Sequence, residues 1–213
     1  MRTIGVAIPC YKYHIPLLKR CLDSIETQTQ KPDQVVVSCS SCEPSDIPSF
    51  AYSFPLKILT HSQRQNAGQN RNRASAELTT DIVSFFDVDD VMHPQRMEVL
   101  LDGQDYSILL HGYALPHEEF PITYTSVDGY ANQLRKGPTG CALLGDDVSA
   151  RIHHAHATVR RELLEHVQFR PDVAFERRED ALFCGDVLAL PGITSLYIAN
   201  PLSLYYEEGA TRP

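Results

Sequence analysis

The sequence has no tryptophan, no long hydrophobic run and no excess of basic charge. No segment approaches the roughly 20 apolar residues that a membrane-spanning helix requires, so we expect no transmembrane segment. Residues 1–10 do not match a secretory signal peptide, because one basic residue is followed by only a short apolar run. The formal net charge of −8 argues against a nucleic-acid-binding surface, so nucleic acid is not an expected partner.

Paired cysteine motifs and glycosylation sequons are scarce as well. Of the six cysteines, only Cys39 and Cys42 form a Cys-x-x-Cys motif, and no second pair completes a zinc site. The sequence contains no Asn-x-Ser/Thr acceptor. Widely spaced free thiols are typical of the reducing cytosol, so we predict a cytoplasmic location.

The composition that remains is that of an ordinary globular protein. The 213 residues, 43% of them hydrophobic, are enough for one domain with a substantial core, and we predict a single domain over residues 1–213. Residues 207–213 are polar and irregular. Such an end is compatible with a chain that is one domain of a larger protein.

Strand-like and helix-like segments alternate through the first hundred residues. Short apolar runs at 4–9, 34–38, 56–60 and 81–86 predict four strands, and helical spacing predicts helices at 17–25, at 69–78 and from Pro94 onward. Strands joined through helices form parallel sheets with right-handed crossovers. The alternation therefore predicts an α/β fold with a Rossmann-like half over residues 1–100.

The pattern in the second half is less regular. We predict a strand at 106–110, helices at 157–167 and 179–188, and a short strand at 196–199. Residues 112–150 contain several glycines and prolines without a clear period. Residues 101–213 are therefore expected to form a less regular half of the same domain.

An apolar strand runs directly into three carboxylates in the segment FFDVDD at residues 85–90. Ligands of open α/β sheets bind at the carboxyl ends of strands, and charge at such an edge requires compensation. Because Mg²⁺ and Mn²⁺ prefer oxygen ligands and share them with substrate phosphates, we predict a divalent metal at Asp87, Asp89 and Asp90. The alternative is a polar loop whose aspartates cap a helix near Pro94.

Further motifs occur in a fixed order around this segment. They are Pro9-Cys10-Tyr11 at the end of the first strand, then Leu18, Leu22, Ser24, Ile25 and Gln28, then Asn66, Gly68, Arg71, Asn72 and Ala74, and finally Asp87, Asp89, Asp90 and Pro94. With this order and spacing, residues 3–42 and 66–96 resemble the nucleotide-binding half of family 2 glycosyltransferases. The resemblance implies a GT-A fold, which is a Rossmann-like, nucleotide-binding half with a mixed central sheet and a less regular, acceptor-side half.

The resemblance continues more weakly into the second half. Residues 158–163 (TVRREL) are followed by Glu179-Asp180 and an apolar stretch, and the resemblance implies that Asp180 is the catalytic base and Glu179 its neighbour. Inverting sugar transfer needs a carboxylate that removes the proton of the acceptor hydroxyl. The alternatives are that both acids only complement a helix dipole, or that the Asp146-Asp147 pair supplies the base.

The resemblance also implies how the donor is bound. Asp89 is the best metal ligand, Asp87 approaches the ribose or the metal, and Tyr11 packs against a pyrimidine. Arg71 neutralises charge near the nucleotide or forms an ion pair with one of the aspartates. The predicted donor-binding residues are Pro9, Tyr11, Ser38, Cys39, Arg71, Asp87 and Val88.

Two regions depart from the pattern of this family. Family members usually place aspartates after the second strand, where this chain has SCSS at residues 38–41, so base recognition would use hydroxyl or backbone groups. Relatives often carry a histidine near the C-terminus that contacts metal or phosphate, whereas residues 205–208 here read YYEE.

A histidine-rich motif occurs at His153-His154-x-His156. Histidines at this spacing can chelate a metal. Because Asp87 and Asp89 already account for the expected metal, we predict that the motif belongs to a polar, acceptor-side segment.

The resemblance, together with the aspartate segment, implies a metal-dependent, inverting glycosyltransferase that uses Mn²⁺ or Mg²⁺ and moves a sugar from a UDP-sugar to a glycan acceptor. A general likeness to glycosyltransferase domains of large chlorovirus proteins implies a role in glycan building, with UDP-rhamnose or UDP-glucose as the donor. Two alternatives remain open, a non-catalytic sugar-nucleotide-binding module and a sugar nucleotidyltransferase. The second usually has a Gly-rich, basic loop after its first strand, and residues 9–12 (PCYK) are not such a loop.

Overall fold

The computed structural model describes residues 2–118, 123–145, 147, 149–171 and 178–207. Within them the α-helices are α1 Leu18–Glu26, α2 Ala67–Ala76, α3 Arg96–Asp102 and α4 Glu179–Leu188. The strands are β1 Ile4–Tyr11, β2 Gln34–Ser40, β3 Leu56–His61, β4 Ile82–Phe85, β5 Val91–Met92, β6 Ile108–Ala114, β7 Gly129–Ala131, β8 Leu134–Lys136, β9 Ala142–Leu144, β10 Thr158–Arg160 and β11 Ser195–Leu204.

A mixed sheet runs through both halves of the chain in the order β3-β2-β1-β4-β10-β6-β11-β5, with β7 also paired to β11. β3, β2, β1 and β4 are parallel, as the alternation of strands and helices predicts. β10 is antiparallel to both β4 and β6, and β5 is antiparallel to β11. Strands from the second half therefore extend the sheet of the first half.

Two hydrophobic cores cover the two faces of this sheet, because side chains alternate between the faces along each strand. Ile4, Val6 and Ile8 of β1 belong to the core that also contains the apolar side of α1. Ala7 belongs to the opposite core, which contains Phe183 of α4 and Ala74 of α2. Nearly continuous burial of β1 and β2 explains why both strands are apolar runs in the sequence.

The helix predicted at 157–167 is wrong. Thr158–Arg160 forms β10, and Arg161–Glu165 forms a short 3₁₀ helix. The β-branched Thr158 and Val159 suit a central strand, where the Thr158 hydroxyl oxygen lies 2.9 Å from that of Ser84 on β4. Pairing with β4 and β6, which are distant in sequence, decides the structure of this segment.

Most other predicted elements are present, with shifted boundaries. A 3₁₀ helix at Lys12–Leu17 contains Pro16 and leads into α1, while α3 begins at Arg96, after Pro94. β6 and β11 are both longer than predicted. In the part of the chain that the structure describes, no helix is long and apolar enough to cross a membrane.

Candidate active site

Polar segments from both halves of the chain meet at the carboxyl edge of the parallel strands. β1 ends at Tyr11, β2 ends at Ser40, and β4 is followed directly by the aspartate segment 87–90. Parallel strands present these ends at one edge, which is where open α/β sheets bind ligands. The N-terminus of α4 reaches the same edge, because Arg71 contacts both Asp87 and Glu179.

The three aspartates form a compact anionic cluster. Asp87, Asp89 and Asp90 each offer a carboxylate oxygen, and these atoms lie within 4.8 Å of one another. Burial, followed by repulsion from the neighbouring carboxylates, raises the pKa of Asp89 to about 7. Burial and the charge of Asp87 raise the pKa of Asp90 well above its usual range. Oxygen ligands whose charges repel one another fit a hard divalent cation such as Mg²⁺ or Mn²⁺.

Arg71 on α2 links this cluster to α4. Its side chain is 3% exposed, and Nη2 donates to Asp87 Oδ1 at 2.6 Å while Nη1 donates to Glu179 Oε1 at 3.1 Å. The guanidinium also lies over the ring of Phe169, 5.3 Å from its centroid. Arg71 thus forms the ion pair with an aspartate that was one of its two predicted roles, and it joins that aspartate to the helix of the candidate base.

Glu179 and Asp180 occupy the first turn of α4. The Oδ1 atom of Asp180 accepts a hydrogen bond from the backbone N–H of Ala181 at 2.7 Å. Burial raises the pKa of Asp180, while the nearby Arg71 opposes this shift. A carboxylate with a raised pKa is a stronger base than a solvated aspartate, as proton abstraction requires.

The Asn-x-Gly motif sets the position of α2. Asn66 Oδ1 accepts from the N–H of Gln69 at 2.7 Å, and Gln69 Oε1 accepts from the N–H of Asn66 at 3.0 Å, which is a capping box. A Cβ atom at Gly68 would lie 2.9 Å from the Cβ of Phe169 and 3.4 Å from the Cγ of Glu179. The absence of a side chain at Gly68 therefore lets α2 pack closely against Phe169 and approach Glu179 at the start of α4.

Aromatic and basic side chains lie around the end of β1. Tyr11 is partly exposed, and the guanidinium carbon of Arg64 lies 5.5 Å from its ring centroid. The ring of His14 lies 6.3 Å from that of Tyr11. Burial lowers the pKa of His14, and the charge of Asp87 opposes this shift, so the two side chains interact. His14 was not identified from the sequence, where nothing distinguishes it from an ordinary loop residue.

The polar side chains at the end of β2 form hydrogen bonds within the protein. Ser38 and Cys39 are fully buried. The Ser38 hydroxyl donates to Asn70 Oδ1 at 2.9 Å, and Asn70 Nδ2 donates to the Cys10 carbonyl at 3.2 Å and to Ser40 Oγ at 3.0 Å. Asn70, which the sequence did not single out, therefore holds β1, β2 and α2 together. Pro9 and Val88, two further predicted donor-binding residues, are also buried.

Asp90 lies deeper than the other aspartates and contacts two segments of the second half. Its Oδ1 accepts from the N–H of Tyr206 at 2.8 Å. Its Oδ2 lies 3.0 Å from His153 Nε2 and 3.1 Å from His156 Nε2. The histidine motif thus packs beneath the aspartate cluster, which differs from the polar, acceptor-side segment that we predicted. Its spacing in the sequence was the available signal for this contact.

The C-terminal segment also reaches the cluster. Arg20 on α1 donates from Nη2 to the backbone carbonyl of Asp89 at 2.5 Å, and its guanidinium lies 4.0 Å above the ring of Tyr206. Asp147 is an exposed turn residue whose Oδ1 accepts from the N–H and hydroxyl of Ser149. Asp146 and Glu208 lie outside the described residues.

Comparison with known proteins identifies a family for this arrangement. The family model described as glycosyl transferase family 2 matches residues 5–167, which include most of β1 and the aspartate segment. An uncharacterized glycosyltransferase of Haemophilus influenzae is 26% identical over 100 residues, which are 46% of this chain and 33% of that protein.

Solved structures of S. aureus TarS have a similar fold. TarS 1–349 in complex with UDP matches with a TM-score of 0.68 and 16% identity over 95% of this chain and 60% of that chain. The same region in complex with UDP-GlcNAc matches with a TM-score of 0.66 and 16% identity over 95% of this chain and 58% of that chain. These matches confirm the α/β, GT-A fold, and the chain spans less than two thirds of the length of these proteins.

Proposed function

Because the chain belongs to glycosyl transferase family 2, we propose that it transfers a sugar from a UDP-sugar to a glycan acceptor, with inversion and with a bound divalent metal ion. One observation carries this proposal. Arg71 contacts Asp87 at 2.6 Å and Glu179 at 3.1 Å, so the candidate metal ligands and the candidate base share one edge of the sheet.

The donor nucleotide is proposed to bind at the ends of β1 and β2. Tyr11 offers a partly exposed ring to a pyrimidine, and Arg64 and His14 lie close to that ring. The TarS structures contain UDP and UDP-GlcNAc, which supports UDP as the nucleotide. Because Ser38, Cys39 and Ser40 are all fully buried, we assign polar contacts with the base to backbone groups or to the partly exposed Ser41.

The metal ion is proposed to be Mn²⁺ or Mg²⁺, held by Asp89 and Asp87. Such an ion stabilises the negative charge of a departing diphosphate. Arg71 keeps Asp87 fixed at the edge of the sheet, and Arg20 holds the backbone at Asp89. The chain therefore positions both ligands with buried or partly buried arginines, which limits their movement during a reaction.

Asp180 is proposed to take the proton from the acceptor hydroxyl as that oxygen attacks the anomeric carbon. Its raised pKa favours proton uptake, and its position at the start of α4 places it beside Glu179 and Arg71. Glu179 is bound to Arg71, so we assign it a positioning role.

The proposal also names donor sugars to screen first and a class of acceptor. UDP-rhamnose, UDP-glucose and UDP-GlcNAc are the first donors to screen, and a soluble or protein-linked glycan is the acceptor class that we propose. All six cysteines are free, which supports the prediction of a reducing, cytoplasmic environment.

Two measurements test the proposal. Calorimetric titration with UDP, GDP and dTDP, each with and without Mn²⁺, should show metal-dependent binding of UDP that Asp89→Ala abolishes. Asp180→Asn should retain UDP binding and lose turnover of the UDP-sugar by about 10²–10⁴-fold, the usual contribution of general base catalysis.

The same data separate the alternatives. A non-catalytic binding module would bind UDP in both the wild type and Asp180→Asn without turnover in either. A nucleotidyltransferase would release diphosphate from a nucleoside triphosphate and a sugar phosphate. Failure to bind any nucleotide under any of these conditions would rule out the proposed function.

A further inference from the structure

Beneath the aspartate cluster, one carboxylate and two imidazoles converge in the protein interior. Asp90 is 1% exposed, and His153 and His156 are 6% and 0% exposed. Oδ2 of Asp90 lies 3.0 Å and 3.1 Å from the Nε2 atoms of the two histidines. The two imidazole rings stack with centroids 3.5 Å apart and 6° between their planes, so both present Nε2 to the same oxygen.

A hydrogen bond between His153 Nε2 and Asp90 Oδ2, at 3.0 Å, accounts for only part of this convergence. Although His156 Nε2 lies within 3.1 Å of Asp90 Oδ2, this buried atom has no hydrogen-bond partner with acceptable geometry. His156 Nδ1 lies 3.1 Å from the hydroxyl oxygen of Ser203. If Nδ1 carries the proton and donates to the Ser203 hydroxyl, Nε2 carries a lone pair that faces the Asp90 carboxylate. A buried lone pair beside a buried carboxylate is unfavourable unless a cation lies between them.

We propose that Asp90, His153 and His156 form a second, buried metal site that takes a transition metal ion of the zinc class. Imidazole nitrogen suits Zn²⁺, whereas Mg²⁺ and Mn²⁺ prefer a set of oxygen ligands such as Asp87 and Asp89. Two histidines and one carboxylate are a known ligand set for zinc. The inference does not depend on the proposed function, because it concerns a different ion and a different ligand set.

The separations of the donor atoms agree with this ligand set. Ligand atoms of a tetrahedral zinc ion lie about 3.3 Å apart, given Zn–N bonds of about 2.0–2.1 Å. The observed N–O separations of 3.0 and 3.1 Å require only a small outward shift of the side chains. The hydroxyl of Ser203 then orients the ring of His156, as hydrogen-bond partners of metal-bound histidines commonly do.

Two arginines lie near Asp90, and the charge of one of them, Arg20, acts on its carboxylate. The nearby buried arginine, Arg96, donates to His111 Nε2 and to the carbonyls of Phe85 and His156. Asp90 forms ion pairs with the two histidines. A bound ion would tie β4, the segment 153–156 and, through the N–H of Tyr206, the C-terminal segment to one point.

Metal content of the intact protein tests this site. The protein would be purified without an immobilised-metal step, supplied with Zn²⁺, dialysed and analysed by inductively coupled plasma mass spectrometry. We expect near-stoichiometric zinc in the wild type and in Asp89→Asn, and loss of zinc in the double variant His153→Gln/His156→Gln. His154→Gln is the matched control and should keep its zinc, because this neighbouring histidine contacts the carbonyl of Ala142 instead of Asp90.

A measurement on the wild type guards against a double variant that does not fold. X-ray absorption at the zinc edge should show two imidazole ligands in the first coordination shell. A shell of oxygen atoms alone, zinc that is lost in Asp89→Asn but kept in the double histidine variant, or a wild type that retains no zinc would each overturn the proposal.

Discussion

Arg71 shows how a single side chain connects the two halves of the site. Its guanidinium is 3% exposed and pairs with carboxylates that are 24% and 13% exposed, on Asp87 and Glu179. Removing one partner of a buried ion pair leaves the remaining charges without compensation. A substitution that removes one of these side chains is therefore expected to destabilise the protein strongly. The net contribution of the intact ion pairs to the free energy of folding is modest.

We expect Arg71→Gln to lower the free energy of unfolding by about 3 kcal/mol, since both carboxylates then lose their buried partner. Urea denaturation of the metal-free protein measures this change. Arg73→Gln is the matched control on the same helix, because Arg73 donates from Nη2 to the carbonyl of Thr60, and its loss should cost about 1 kcal/mol. Equal changes in the free energy of unfolding for the two substitutions would show that the contacts of Arg71 with Asp87 and Glu179 contribute no more than an ordinary hydrogen bond.

The raised pKa of Asp89 leads to a dependence of metal binding on pH. In the metal-free protein its pKa is about 7 because of burial and the charges of Asp87 and Asp90. Since the folded state holds this proton more tightly than the unfolded chain, the resulting stability is present at low pH and is lost as pH rises through about 7. A metal ion must displace the same proton, so the affinity for the ion should rise as pH rises, whereas this contribution to stability falls.

We therefore expect the affinity for Mn²⁺ to increase with pH, up to about tenfold per pH unit below pH 7, and to level off above it. Calorimetric titration of Mn²⁺ in the presence of saturating UDP would measure this slope. The control Asp89→Asn should show weak binding with little dependence on pH. A wild-type affinity that is constant from about pH 5 to about pH 8 would contradict the assignment of Asp89.

At the scale of elements, the contact between α2 and Phe169, a residue that precedes α4, predicts the sign of the effect of Gly68→Ala. Helix propensity alone predicts that Gly68→Ala stabilises the protein by up to about 1 kcal/mol. The added Cβ would lie 2.9 Å from the Cβ of Phe169, so overpacking should reverse the effect and destabilise the protein by about 1–3 kcal/mol. Thermal unfolding measures the difference, and a stabilised variant would show that α2 and Phe169 do not pack this closely.

The sequence predicted those elements whose structure depends on local pattern. β1, β2 and α4 were found because apolar runs and helical spacing identify them without knowledge of their partners. β10 was missed because three residues carry no periodic signal, and because the spacing of Leu163, Leu164 and Val167 suggested a helix. Its strand conformation depends on β4 and β6, which lie far away in the sequence.

The residues of the candidate site also fall into those that a local motif predicts and those whose contacts depend on distant parts of the chain. The aspartate segment and Glu179-Asp180 were identified because each is a compact motif at the start or end of an element. The contact of His153 and His156 with Asp90 joins positions more than sixty residues apart, so motif spacing alone could not assign their partner. The same limitation explains why Asn70 and Arg20 were missed, since their contacts exist only in the folded chain.

At the scale of the whole molecule, the order of the strands argues for one folding unit. β10 pairs with β4 on one side and β6 on the other, and β11 pairs with β5. Residues 1–100 without the second half would leave β4 as an open edge, with Phe85 and Phe86 deprived of their partners. The single domain predicted over residues 1–213 therefore implies that both halves unfold together.

We expect a single cooperative unfolding transition that different probes report at the same urea concentration. Far-UV circular dichroism follows the helices and strands, and fluorescence follows the ten tyrosines, because the chain has no tryptophan. Addition of Mn²⁺ and UDP should move both curves together, since a ligand of the native state stabilises everything that unfolds with its site. If the two curves separate, or if ligands shift only one of them, the halves are distinct domains, and the sheet that joins them contributes less to stability than its pairing indicates.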